Sequence, residues 1–196
     1  MPKIVDHDEQ RRVIAGHVFQ WIADYGIHTL SQRNVAKVSG RSKGNVQHYF
    51  PDKNSLILGA LKHVTVRRLE REKRYLNQED PLMVLRRRMF DVLPLDKTRA
   101  NEWRVRLALY LYATRDAPMA RYLDKYAKEV FRRGVEDIRR CQAEGRIRKD
   151  LDPGTTFQRL QNIVSGIAVA NLVNGEVLRP RDQRKTLEAE FASIEV

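Results

Sequence analysis

The stretch "SGRSKGNVQHYFPDKNSL", Ser39 to Leu56, brings Arg41, Lys43, His48 and Lys53 together with Asn45, Gln47 and Tyr49. Cations and amides so closely interleaved suit recognition of phosphates and base edges. Lys43 can pair with a guanine or a phosphate, and Asn45 or Gln47 can make a bidentate contact with adenine. Thr29, Ser31, Tyr49 and Lys53 fall near the ends of short helical segments, where hydroxyl, phenol and ammonium groups can hold phosphates. The bland alternative is a solvated face, because charged and amide residues are mostly exposed. Metal chemistry has little support. His48 has no second ligand at zinc-type spacing, and His17, His28 and His63 lie in separate segments.

These residues need short helices to position them. Helical apolar spacing recurs along the chain, and no segment alternates long enough to predict a sheet. Val13, Ile14, Val18, Trp21, Ile22 and Tyr25 mark one face of a first helix ending before Gly26. Ser31 caps a second, carrying Val35, Ala36 and Val38, that Gly40 closes; Ser42 caps a third, "KGNVQHYF". Two short helices joined by "SGRS" form a helix-turn-helix pattern, with Val46 inward and Lys43, Asn45, Gln47 and His48 outward. Gly44 lets that second helix approach a backbone closely.

Longer helices follow. Asp52 opens one through Leu56, Leu61 and Val64 to about Tyr75, and Asp80-Pro81 opens another carrying Leu82, Leu85, Met89 and Leu93 that Pro94 ends. Further helices are predicted from about Arg99 to Thr114, from Asp116-Ala-Pro118 to Gly145, from Asp152-Pro153 to about Asn174, and from Asp182 onward. The expected fold is all-α, about nine helices.

Composition agrees with a globular binding protein. The 196 residues are 42% hydrophobic and 32% charged, with a formal charge of +12. That balance favours a polyanionic partner. Residues 1–60 hold eight basic and five acidic side chains, residues 61–150 twenty-four and fourteen, and residues 151–196 five and six. Most of the excess therefore lies outside the short helices. Cys141 is the sole cysteine, which excludes an internal disulfide and fits a reducing cytoplasm. No apolar run approaches the ~20 residues of a membrane span, and the start "MPKIVDHDEQRR" has no export signal. The basic runs "VRRLEREKRY" and "VLRRRMF" raise anionic-membrane association, which Glu70 and Glu72 argue against by breaking up the first. Catalytic signatures such as a P-loop, G-x-S-x-G or H-E-x-x-H are missing. An α-helical enzyme or small-molecule carrier with an incidental helix-turn-helix is the rival reading.

The run "TLSQRNVAKVSGRSKGNVQHYFPDKNSLI" resembles the DNA-binding module of the TetR family of bacterial transcriptional regulators. Thr29, Leu30, Val35, Ala36, Gly40, Ser42, Gly44, Val46, Tyr49, Phe50, Lys53 and Leu56 fall on that family's pattern. Arg41 stands where an aliphatic residue is usual, and Gln47 where a tyrosine is. Arg41 either lays its stem over the turn to reach a phosphate or is a tolerated surface change. The "HYF" ending, "GRIRKDLDP" and "NGEVLRPRDQRKTLEAEF" are similar to the branch containing the choline-responsive betaine-synthesis repressors.

The resemblance implies a three-helix DNA-binding domain over 1–52 and an antiparallel helical effector-binding and dimerisation domain over 53–196. It further implies a homodimeric repressor on a palindromic double-stranded operator, released by a small-molecule effector, with no cofactor. Effector candidates are Trp103, Leu107 and Tyr110, on one helix face, with Tyr126, Phe131 and Asn162. Tyr110 and Asn162 are expected as buried polar groups that a ligand partners; an ordinary core is the alternative. Aromatic rings suit a quaternary ammonium cation, and the positive charge nearby suits an acidic effector. For the dimer, Leu160, Ile163, Val164 and Ile167 share an apolar side of the penultimate helix, and Leu187, Phe191 and Ile194 line the last. Exposed together they would form a large apolar patch, unless they only close the core of one chain. Gly166 and Ala170 permit close approach.

Overall fold

The computed structural model describes residues 6–74, 80–173 and 179–196, and every regular element among them is helical. The helices are α1 His7–Tyr25, α2 Gln32–Ser39, α3 Lys43–Tyr49, α4 Lys53–Glu72, α5 Pro81–Val92, α6 Lys97–Ala113, α7 Ala117–Ala143, α8 Pro153–Val173 and α9 Pro180–Ile194. A single 3-10 turn, Ile27–Thr29, follows α1. Packing divides the chain into two compact units. One holds the chain through Leu69 together with Arg104–Ala120, the other Glu70–Trp103 with Arg121–Val196. The line therefore falls elsewhere than the expected functional division at 52/53.

Local hydrogen bonds explain where most helices start. Asp6 accepts from the amides of Asp8 and Glu9, Ser31 from Asn34, Ser42 from Asn45, and Asp80 from Leu82 ahead of Pro81. Asp52 and Ser55 exchange bonds, each side chain accepting from the other's amide. Asp96, Asp116 and Asp152 accept from the amides of Arg99, Met119 and Thr155. Each bond satisfies an amide that the first helical turn would leave without a partner. Asp96 thereby starts α6 at Lys97, two residues before Arg99. The last helix also starts early, at Pro180, because a proline at the first position is already set to helical φ. Asp182 lies inside its first turn. The expected ends at Tyr75 and Asn174 fall outside the described residues.

In the first unit Ile14, Val18, Val35, Val46, Leu56, Ile57 and Ala60 are fully buried, with Ile22 and Phe50 almost so. Val13, Tyr25 and Val38, expected on the inner faces of α1 and α2, are exposed instead. A helix only a few turns long buries a stripe narrower than its full apolar set.

In the second unit α5, α8 and α9 pack against one another around Leu85, Leu160, Leu187, Phe191 and Ile194. Ile138, Cys141, Ile147 and Phe157 extend that core. The chain end is tied in where the Arg148 amide donates to the Ile194 carbonyl at 3.0 Å. The tip of the Phe157 ring abuts Gly134, where an added Cβ would sit 2.0 Å from it. Among the described residues no helix is long and apolar enough to cross a membrane, and no cluster of metal-ligating side chains occurs.

Candidate nucleic-acid interface and effector domain

Helix α3 is presented by a turn that its own backbone closes. Gly40 adopts φ +63°, the left-handed region open to glycine, and the Arg41 amide donates to the Ala36 carbonyl at 3.0 Å. Ser42 then starts α3, whose inner side is Val46, fully buried, and Tyr49, 8% exposed. Lys43, Gln47 and His48 are exposed on the other side, and Asn45 is half-buried at its edge. An added Cβ on Gly44 would meet nothing closer than the Ser42 hydroxyl at 4.0 Å, so nothing in the chain itself demands a glycine there.

Several candidate phosphate contacts already have partners. The Thr29 hydroxyl accepts from the Trp21 indole at 3.0 Å and faces the Tyr25 and Gly26 carbonyls. Ser31 and Ser42 are occupied as helix caps. Tyr49, expected at an accessible helix end, is buried, and its hydroxyl lies 3.0 Å from His7 Nδ1. Lys53 extends its ammonium to within 3.5 Å of the His28 carbonyl. Arg41 turns back toward the protein: its guanidinium donates to Gln10 of α1 and, at 3.3 Å, to Asn45 Oδ1.

His7, Gln10 and Gln32 are absent from the sequence-based expectations. Gln32 donates from one amide nitrogen to the carbonyls of Phe50 and Pro51, both at 2.8 Å, and so ties α2 to the end of α3. No local pattern marks these residues, because their partners lie 18 or more positions away.

In the second unit, Trp103 is 4% exposed and its indole donates to the Val92 carbonyl at 2.7 Å, so its polar end is already satisfied. Tyr126 is half-buried. Phe131 meets Phe157 edge-on, with ring centroids 6.0 Å apart. Asn162 is exposed and accepts from Gln158 at 2.9 Å. Leu107 and Tyr110 belong to the first unit, with Leu107 half-buried and Tyr110 46% exposed. Tyr110 and Asn162 are therefore not the buried polar groups expected from the sequence. A residue on an apolar-looking helix still faces solvent when no neighbour covers its side.

The buried polar residues of this unit are the neutral Asn101, Thr156 and Gln183 and the carboxylates Glu72 and Glu102, both of which are ion-paired. Arg71 donates from Nε to both Asp91 oxygens at 2.9 Å, and from its two terminal nitrogens to Glu102 at 2.7 and 2.9 Å. The Glu102 hydrogen bond is the largest influence on Arg71 and holds the guanidinium protonated beyond its ordinary range. Arg88 pairs with Glu72 at 2.6 Å and with Asp137. Burial raises the Asp137 carboxyl above the ordinary range, with Arg88 pulling the other way.

Residues 83–194 match the model of the C-terminal domain of BetI-type transcriptional repressors. The chain belongs to the TetR family of transcriptional regulators. Its curated relatives include PksA of Bacillus subtilis, 27% identical over 86% of this chain and 82% of PksA. BetI of Escherichia coli is 31% identical over 65 residues, a third of either chain. Among solved structures, a transcriptional regulator from Saccharomonospora viridis in complex with choline superposes with a TM-score of 0.87. It covers 96% of this chain and 99% of its own, at 22% identity.

Like its relatives by name, this TetR-family chain is a transcriptional regulator, and its helix-turn-helix occupies α2 and α3. The residues first expected at a dimer contact are, with one exception, turned the other way. Leu160, Val164, Ile167, Leu187, Phe191 and Ile194 are buried inside the single chain, and only Ile163 is half-buried. They close the core of the second unit. The outward side of α8 carries the polar Thr155, Gln158, Arg159 and Asn162 in its first half and Ser165, Gly166, Val169, Ala170 and Val173 in its second.

Proposed function

We propose that the protein is a homodimeric repressor that reads a palindromic operator through α3 and is released by a small-molecule effector bound in its C-terminal region. The observation that carries this reading is the presentation of α3. A capped helix, packed on its inner side, holds Lys43, Gln47 and His48 exposed at its outer side, beside a glycine with no packing reason to be one. Such a helix fits a major groove, where Lys43 meets guanine or phosphate and Gln47 can read adenine. Arg33 and Lys37, exposed on α2, add cations for the flanking phosphates.

A dimer places two such helices on one face of the duplex. The outward sides of α8 and α9 suit a twofold contact: Gly166, Ala170, Ala189, Ala192 and Ser193 are small and exposed, and Val169 and Val173 are large, apolar and exposed. Two α8–α9 pairs would make a four-helix bundle. An effector can weaken operator binding only by as much as it binds the two conformations differently. Choline, the ligand of the S. viridis neighbour, is the first compound to titrate.

The test is fluorescence anisotropy against duplex DNA from upstream of the protein's own gene, beside a scrambled duplex, at two salt concentrations. Wild type is expected to prefer the upstream duplex. Lys43→Ala/Gln47→Ala is expected to bind both duplexes equally while melting at the wild-type temperature. Equal, salt-labile binding by the wild type would reject operator reading and leave only charge attraction.

A further inference from the structure

The first turns of α1 lie beside the end of α3. His7 sets its Nδ1 3.0 Å from the Tyr49 hydroxyl, and its ring centroid is 6.1 Å from that of His48. One turn further along α1, the Arg11 guanidinium stands 5.2 Å from the centre of the Phe50 ring. Residues four apart share a helix face, so His7 and Arg11 form one ledge against "HYF". What lies beneath the ledge is fixed. Tyr49 and Phe50 are 8% and 1% exposed, and an added Cβ on Gly59 would come within 2.6 Å of the Phe50 ring.

His7 and Arg11 themselves are exposed. A guanidinium over a ring uses its charge there and keeps its N–H donors for other acceptors. Among the described residues Arg11 has no carboxylate partner, whereas Arg12 beside it pairs with Glu9 at 2.6 Å. Asp6 is committed to capping the helix, and Asp8, three residues before Arg11, is exposed and stays outside ion-pair reach of it. His7 turns Nδ1 to the phenol, which leaves Nε2 as its other polar atom. Where the phenol donates to Nδ1, the ring proton sits on Nε2 as a donor, the arrangement that a purely accepting phosphate selects.

The dimensions of the duplex say what meets this ledge. An α-helix with its side chains is about 10–12 Å across, and the major groove is about 12 Å wide. A helix seated there fills the groove from wall to wall. Side chains that flank it, rather than ride on it, therefore face the phosphates of the strands.

We infer that His7 and Arg11 are a phosphodiester-binding pair: with α3 in the groove they grip the DNA backbone beside His48. The pair supplies affinity and reads no base. This inference rests on α3 being the helix that enters the major groove.

The experiment is anisotropy on the upstream and scrambled duplexes over a range of salt, with full-length wild type, Arg11→Met and His7→Phe. Arg12→Met is the control, an equal change of charge at the next residue. Each variant is checked by thermal melting. Arg11→Met keeps a stem over Phe50 without the charge. It should bind both duplexes roughly tenfold more weakly, the scale of a charge-assisted hydrogen bond. The slope of log affinity against log salt should fall by about one. Arg12→Met should stay close to wild type. Upstream duplexes that each carry one neutral methylphosphonate then locate the contact. At one backbone position in each half-site, neutralisation should weaken wild type and leave Arg11→Met no weaker than before. The same or the adjoining position should behave so for His7→Phe.

Two results overturn the inference while leaving operator reading intact. In the first, Arg11→Met matches Arg12→Met in affinity and salt slope. In the second, every neutralised phosphate costs the variants as much as it costs wild type, which makes His7 and Arg11 a brace for α3 and not a contact. Equal binding of both duplexes by wild type rejects operator reading by itself, because the salt slopes of Arg11→Met and Arg12→Met still decide whether the ledge holds phosphate. Should Arg11→Met melt early, Arg11→Gln takes its place under the same criteria.

Discussion

Cys141 is fully buried, and burial first, then the nearby carboxylates of Asp137, Asp80 and Glu144, pushes its thiol up to about 12. The thiolate is the reactive form, so at pH 8 the group is both neutral and out of reach. Iodoacetamide is expected to leave Cys141 unmodified in the folded protein and to label it fully in urea; rapid labelling of the folded protein would refute this. The same commitment of side chains to the interior recurs at the candidate site. Tyr49, Thr29 and Trp103 carry polar groups that sequence reading offers to a ligand, yet each already has a partner within the chain. Lys43, Gln47 and His48 carry the exposed side chains of α3.

At the scale of helices, the ion pairs differ sharply in weight. Arg71 on α4 bonds at once to Asp91 on α5 and Glu102 on α6, with side-chain exposures of 21%, 13% and 7%. Arg132 on α7 bonds to Glu129 and Glu136 with all three side chains about half exposed. Its hydrogen bond lowers the Glu129 carboxyl to about 2, but water and salt screen so exposed a pair, and the shift does not translate into stability. Removing Arg71 leaves two carboxylates facing each other in a largely dry site. Arg71→Met is therefore expected to cost about 3–5 kcal/mol in urea unfolding. Arg132→Ala should leave the unfolding midpoint unchanged. Equal midpoints for the two variants would show that Arg71 is no better shielded from solvent than Arg132.

At the scale of the whole molecule, the question is whether two chains meet on α8 and α9. Gly166 offers a clean test, because a side chain there would meet nothing of its own chain within 4 Å. Gly166→Arg should keep its helical fold and sediment as a monomer at micromolar concentration, where wild type is expected to sediment as a dimer. Operator affinity should fall with it, since each half-site would then be bound alone. A variant that remains dimeric would move the contact off this face. Charge does not decide the issue. The positive excess is concentrated in residues 61–150, and residues 151–196 are close to neutral.

The sequence alone determined the helical fold, most helix starts and the family. A side-chain cap acts across three residues, so Ser31, Ser42, Asp52 and Asp80 can be read as they stand. The spacing of glycine, serine, tyrosine and phenylalanine around α3 is local as well, which made the helix-turn-helix legible. Periodicity marks an apolar stripe without saying what covers it. That is why Leu160, Leu187 and Phe191 read from the sequence as a dimer contact, whereas packing of α8 on α9 and α5 buries them in the core of one chain. Tyr110 and Asn162 came out on the surface for the same reason. The bonds from Arg41 to Gln10 and from Arg71 to Asp91 and Glu102 join residues 31, 20 and 31 positions apart. Contacts at that separation depend on how helices settle against one another, which no short window of residues encodes.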